Sequence, residues 1–328
     1  MAAETTLSNA ALPPARQRIG LDYNVTMPAK PAISERLDAR RTLLGEGLEI
    51  RRALPNRHRR TVGAWCFLDH AGPADYAAGG GVNVGPHPHI GLQTFSWMIE
   101  GAIRHRDSLG FDQWIRPGQV NLMTAGRGIA HAEESPEGEP GRVQLAQLWI
   151  ALPEAEANCE PAFEHYPELP LLERGGFRAT LLAGECSGER SPARVYTPMI
   201  GLDLVTPGEA RTGLPLRTDF EHAVMVLEGA AEVDGAALEP GTLLYLGTGR
   251  DRIAISAPAA ARLLLIGGEP MHGEILIWWN FVARRREDIV LATHDWNAGR
   301  RFGEVRGARN ARLVAPEVGE LQLRGGRA

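Results

Sequence analysis

From Arg40 onward the chain is a succession of short apolar runs, each closed by a polar or glycine-proline break. Leu43, Leu44, Leu48 and Ile50 lead to a polar turn at Pro55-Asn56-Arg57, and the run Gly63-Ala64-Trp65-Cys66-Phe67-Leu68 reads as a strand ended by His70-Ala71-Gly72-Pro73. Leu92 to Ile99 largely alternates and turns at Glu100-Gly101; Ala102 to Arg106, Gln113 to Arg116 and Val120 to Thr124 follow, separated by Asp107-Ser108-Leu109-Gly110 and Pro117-Gly118. Val143 to Leu152 is a longer apolar run. The second half repeats the manner: Thr180 to Gly184, Ile200 to Val205, Ala223 to Leu227, Ala231 to Val233, Thr242 to Leu246, Ile253 to Ser256 and Arg262 to Ile266. Short strands at such spacing predict an all-β barrel or sandwich.

The two halves also resemble one another. VLEGAAEVDGAALEPGTLLYL in the second echoes MIEGAIRHRDSLGFDQWIRPGQVNLM in the first, each with hydrophobic-Glu-Gly, a turn, then Pro-Gly before an apolar strand. The expectation is two copies of one barrel, and 328 residues are more than one core usually serves. The expected divisions are a loose extension over 1–35, a metal-binding barrel over 36–155, an exposed linker over 156–175, a second barrel without a metal site over 176–300, and a tail over 301–328. Short helices are expected near the C-terminus, with Asn280 to Ile289 packing across the barrels.

Composition narrows the functional classes. A formal net charge of -5 gives no reason to expect direct nucleic-acid binding. The N-terminus lacks the apolar segment of a secretory signal, and no run approaches the roughly 20 apolar residues of a membrane helix. Cys66, Cys159 and Cys186 are scattered and odd in number, which suits free thiols in a reducing compartment. A cytoplasmic protein with no membrane partner is expected.

The chemistry concentrates in two stretches. One is Gly81-Val82-Asn83-Val84-Gly85-Pro86-His87-Pro88-His89; the other is Thr124-Ala125-Gly126-Arg127-Gly128-Ile129-Ala130-His131-Ala132-Glu133. Residues two apart on a strand point to one face. His87 with His89, and His131 with Glu133, can each reach a single point, and two such strands meeting inside a barrel make a site of three imidazoles and a carboxylate. A structural zinc site would close with four ligands, whereas a six-coordinate metal held by the same four keeps two positions open. Pro88 cannot donate a ladder hydrogen bond, so its segment is expected at a strand start, edge or bulge.

Gly81 to His89 matches the first half of the cupin signature. His-Pro-His-x-Gly-x-x-Thr, followed by Met-Thr-Ala-Gly-Arg-Gly-Ile-x-His-x-Glu, resembles the pirin family more narrowly, and His105 to Gly110 sits where that family has a His-x-Asp-Ser-x-Gly segment. The resemblance implies two cupin-type jelly-roll barrels face to face and a metal in the first, with His87, His89, His131 and Glu133 as ligands. It implies one divalent metal, iron being the usual one, with Mn, Co, Ni, Cu or Zn as alternatives. It implies a dioxygenase opening the ring of flavonols such as quercetin with dioxygen, Glu133 being the catalytic base. It also implies an alternative role as a redox-sensitive, non-catalytic regulator with a protein partner, such as a transcription factor or metabolic enzyme.

Other residues draw weaker expectations. Gln93 stands where the cupin pattern has a glutamate, which removes a carboxylate from the neighbourhood of the metal. His222 and His272 are isolated. His105 and Asp107, spaced to share a strand face, could support the metal ligands from behind but read first as an exposed imidazole and a turn residue; Arg127 reads as a loop anchor ahead of a contact to an anionic substrate, and Trp97, Trp114 and Trp149 as core. Arg284-Arg285-Arg286 reads as a solvated helix face, and Gly79-Gly80-Gly81 as a flexible loop.

Overall fold

A computed structural model describes residues 34–44 and 48–319, so most of the expected N-terminal extension and the last residues of the tail lie outside the described residues. The expected strands form, and they assemble into two barrels of the same topology. In the first, a large sheet runs in the order Ala162–Tyr166, Val120–Thr124, Leu92–Glu100, Gly141–Ala151, Trp65–Tyr76, Leu48–Leu54, Arg40–Leu44. A smaller sheet faces it, in the order Asn83–His89, Ile129–Glu134, Ile103–Asp107, Asp112–Ile115. In the second, the large sheet runs Glu35–Asp38, Thr242–Gly247, Glu221–Glu228, Ala261–Gly268, Met199–Thr206, Phe177–Cys186, Leu171–Arg174. Its smaller sheet is Ala210–Pro215, Arg252–Ala257, Ala231–Val233, Ala236–Leu238.

The two lists match strand for strand, and the match exposes an exchange. Glu35–Asp38, which leads into the first barrel, pairs with Thr242–Gly247 of the second. Ala162–Tyr166, which leads into the second barrel, pairs with Val120–Thr124 of the first. The stretch read as an exposed linker is therefore built into both sheets, since Leu171–Arg174 pairs in turn with Phe177–Cys186. Each borrowed strand covers an edge that would otherwise present unpaired backbone groups.

Alternation along the strands decides what each face does. The large sheets pack against each other through Trp65, Phe95, Trp97, Leu148 and Ile150 on one side and Met199, Ala223, Met225, Leu264 and Ile266 on the other, all buried. Trp65 is the centrepiece: its indole N–H reaches the carbonyls of Ile200 at 3.2 Å and Gly267 at 3.1 Å, and its ring meets the Phe95 ring edge-on at 5.7 Å. Burying aliphatic and aromatic side chains of this size is worth about 1.5–3 kcal/mol each, so this seam joins the barrels firmly.

The C-terminal region departs from expectation. Within the stretch read as helical, Phe281–Ala283 is a strand paired with Leu276–Trp278, and the helix runs later, over Arg286–Asn297. The helix buries Ile289, Ala292 and Trp296 against Ile90, Phe281 and Phe302, beside the first barrel's smaller sheet. Of the three arginines, Arg284 is half-buried and donates to the Leu152 carbonyl at 2.9 Å, so only its two successors keep a solvated character. The tail then runs back over the strand Asn83–His89, where the Leu313 N–H donates to the Pro86 carbonyl at 2.9 Å. A Cβ on Gly85 would lie 2.0 Å from the Ala311 carbonyl oxygen, so this crossing requires glycine. No helix among the described residues is long and apolar enough to cross a membrane.

Candidate metal centre

The strand Asn83–His89 pairs antiparallel with Ile129–Glu134, placing His131 opposite His87 and Ile129 opposite His89. A β-bulge between His131 and Glu133 then shifts the register, so that Glu133 faces Val84. Pro88 is accommodated because Asn83–His89 is the outer strand of its sheet. Side chains of His87, His89 and His131 converge: one ligand atom from each lies within 4.8 Å of the others, and all three residues are buried. Glu133 is not in that group. Its carboxylate stands beyond the bulge, at 3.4 Å from the Ser96 hydroxyl oxygen, whose single proton has a nearer acceptor in Gln147 Oε1 at 2.8 Å.

Each imidazole is held by its far nitrogen. His87 Nδ1 is 2.9 Å from the Gly85 carbonyl oxygen, and His89 Nδ1 is 3.0 Å from that of Asn280. A carbonyl only accepts, so both rings carry their proton on Nδ1 and present a bare Nε2. The His89 and His131 Nε2 atoms are 3.0 Å apart. Two nitrogens each about 2.1 Å from one cation and at right angles to it stand about 3 Å apart, so this spacing suits a shared metal. Burial lowers all three imidazoles below the ordinary histidine range, His87 to about 4 against the opposing pull of the Gly85 carbonyl, and His89 and His131 well below it. They are therefore neutral, the form that ligates. Burial pushes the Glu133 carboxyl up, opposed by His105 and the Ser96 hydroxyl. The donor set fits a divalent transition metal: three neutral imidazoles with a carboxylate at hand.

The walls are mixed. Phe67 stacks on Trp149 at 4.0 Å, and Trp149 meets the His89 ring edge-on at 5.3 Å, so Trp149, buried in the core as expected, also borders the histidine cluster. Across the large sheet one register line carries Arg52, Asp69, Gln147, Ser96, Asn121 and His165. Arg52 grips Asp69 through two hydrogen bonds of 2.8 and 2.7 Å, and His165 Nδ1 lies 2.7 Å from Asn121 Oδ1. Arg52, Gln147 and Glu133 keep partial exposure, so solvent reaches this polar line.

Two expectations change here. Gln93 is fully buried, but it faces the other barrel: its amide donates to Thr124 Oγ1 at 2.9 Å and to the Arg194 carbonyl at 3.1 Å. The residues of that strand on the side of the histidine cluster are Thr94 and Ser96, paired with Trp149 and Gln147. His105 is not an exposed imidazole. It is 3% exposed, lies 3.3 Å from His131 between Nδ1 atoms, and stacks on Phe163 at 4.3 Å. Asp107 does serve the turn, accepting from the Leu109 and Phe111 N–H groups, yet its other oxygen is 3.0 Å from His105 Nε2. Arg127 anchors its loop as expected, through its N–H to the Cys159 carbonyl and an exposed pair with Glu160. His222 is buried in the second barrel beside the Phe220 ring.

Comparison with known proteins agrees with this geometry. The model of the pirin family matches residues 47–150, and that of the pirin C-terminal cupin domain matches residues 201–303. A Pseudomonas aeruginosa protein provisionally named quercetin 2,3-dioxygenase is 49% identical over 87% of this chain and 90% of its own length. A pirin-like protein of Caulobacter vibrioides is 40% identical over 80% of this chain and 92% of its own. The crystal structure of a quercetin 2,3-dioxygenase from Acinetobacter baumannii superposes with a TM-score of 0.86 at 48% identity, covering 89% of this chain and 97% of that one.

Proposed function

The chain belongs to the pirin family, within the cupin superfamily, and from that premise we propose that it is a metal-dependent dioxygenase acting on flavonols, with quercetin-type ring opening as its reaction. The observation that carries the proposal is the convergence of three neutral, Nδ1-anchored imidazoles in the first barrel. His87, His89 and His131 would hold the metal, Fe(II) being the first choice, and Glu133 would complete the set from beyond the bulge. When bound, such a metal supplies Lewis acidity toward a phenolic hydroxyl and redox contact with dioxygen.

The chain's own groups do the rest. Glu133 is the base: its carboxylate, raised by burial, accepts the phenolic proton while the Ser96 hydroxyl supports it. The stacked Phe67 and Trp149 rings give a flat aromatic ligand an apolar wall and keep water from that side. The line of Arg52, Asp69, Gln147 and Ser96 offers donors and acceptors to a polyhydroxylated ring system, a chemistry that an aliphatic barrel could not recognise.

The test is metal analysis of the purified protein followed by oxygen uptake with quercetin after loading with Fe, Mn, Co or Ni. One metal per chain and turnover with at least one of them is expected; absence of uptake with all four would sink the enzyme reading.

A further inference from the structure

The three imidazoles are not equivalently backed. His87 and His89 rest their Nδ1–H groups on the neutral carbonyls of Gly85 and Asn280. His131 rests instead on another side chain: its Nδ1 is 3.3 Å from His105 Nδ1, and His105 Nε2 is 3.0 Å from Asp107 Oδ2. Only one arrangement of protons suits His131 as a ligand. With Nε2 bare toward the metal, the proton sits on Nδ1 and is donated to His105 Nδ1. His105 then carries its own proton on Nε2 and donates it to the Asp107 carboxylate.

Everything about this chain is fixed. Asp107 has its side chain wholly buried, and Oδ1 accepts the Leu109 N–H at 2.9 Å and the Phe111 N–H at 3.0 Å. Phe163, on the strand that the first barrel borrows from the connection, lies flat on the His105 ring with 14° between the planes. Register seats His131 opposite Asp107, and Glu133 opposite His105, on neighbouring strands.

We propose that His105 and Asp107 are positioning residues that lock the His131 tautomer and, through the buried carboxylate, make His131 the strongest electron donor of the three imidazoles. This rests on the reading of His131 as a metal ligand. A ligand backed by an anion donates more charge to the metal than one backed by a carbonyl, which tightens binding and favours the higher oxidation state. The pair thus lowers the reduction potential of a bound iron while touching neither iron nor substrate.

The test uses the full chain and two substitutions. Asp107→Asn keeps one acceptor oxygen for the turn but turns an amide NH2 toward His105 Nε2, removing both the charge and the acceptor on that side. His105→Phe keeps the stack on Phe163 but removes both hydrogen bonds. Metal affinity is read by chelator competition, and the potential of the iron-loaded protein by spectroelectrochemical titration. Both variants are expected to bind metal about ten- to a hundredfold more weakly than the unaltered chain, and Asp107→Asn to move the potential positive. A purely turn-capping Asp107 would lower the melting temperature and leave the potential where it was. Folded variants with unaltered affinity and potential overturn the inference. Failure of the unaltered chain to retain any metal overturns the metal reading beneath it, so the two failures are distinguishable.

Discussion

The two barrels share one frame and differ in what fills them. In the first, one register line across the large sheet reads Arg52, Asp69, Gln147, Ser96, Asn121, His165. The corresponding strands of the second carry Leu181, Leu202, Leu265, Val224, Leu244 and Arg36 along one register line. In place of the ligand strands it has Ala210–Pro215 and Arg252–Ala257, which bury Leu214, Ile253 and Ile255 in an aliphatic core. The frame's stability comes from the seam and from the filled barrel, and this leaves the other interior free to be polar. A barrel lined with histidine, serine and glutamine forgoes much of the burial that folding normally rests on, and its partner supplies it.

The sharpest way to break the contrast is His131→Ala. It should abolish stoichiometric metal binding and flavonol-dependent oxygen uptake, with the fold retained by circular dichroism. Leu265→Ala should do the reverse, lowering stability by about 2–5 kcal/mol in denaturant unfolding while metal content stays at the wild-type level. Its neighbour by rank in the first barrel, Gln147, is expected to respond oppositely: Gln147→Leu should change stability by less than about 1 kcal/mol but depress turnover.

Acid should probe both barrels through their buried histidines away from the centre. Burial, with Arg250 adding to it, holds His222 down to about 4, and burial with Arg51 and Arg262 holds His70 down to about 3. In the unfolded chain such groups bind a proton near pH 6.5, roughly. Between that pH and about 4 for His222, or about 3 for His70, the unfolded state therefore binds more protons than the native one. Stability should fall as pH drops through this window, and His222→Gln should make the fall shallower, which urea midpoints at successive pH values would register. The smallest effect on the metal centre is expected from Gln93→Glu. A carboxylate facing the Arg194 carbonyl loses a donor and gains a repulsion, at a cost of about 1–3 kcal/mol at neutral pH, with metal content unchanged. Loss of metal in that variant would show that Gln93 acts on the centre after all.

Much of this was legible in order along the chain. The strands, the internal duplication and the histidine pairs are local patterns, and local patterns survive translation into structure. Non-local decisions were not legible. Gln93 reads as a neighbour of the histidine pair, but the bend at Gly91 resets the alternation after His89, so Gln93 falls on the opposite face. His105 reads as exposed because the ring that covers it, Phe163, comes from a stretch whose glutamates and prolines suggest a linker. The exchange of edge strands depends on distant partners, Arg36 facing Leu244 and His165 facing Asn121, which no short window of sequence contains. The second barrel's aliphatic filling was visible as runs of leucine, isoleucine and valine, though not which of them would line its interior.

The supports of the metal strand come from the far end of the chain. His89 leans on the Asn280 carbonyl, Ile90 bridges to Phe281, and Glu134 at the end of the partner strand accepts from the Arg309 and Asn310 N–H groups. A chain is made from its N-terminus, and domains fold as they emerge. The first barrel can close while these residues are still to be synthesised, but His89 and the end of the partner strand gain these supports only once residues 280–310 dock. On the proposed metal reading, a chain cut before Asn280 should fold in part yet bind its ion more weakly than the full chain.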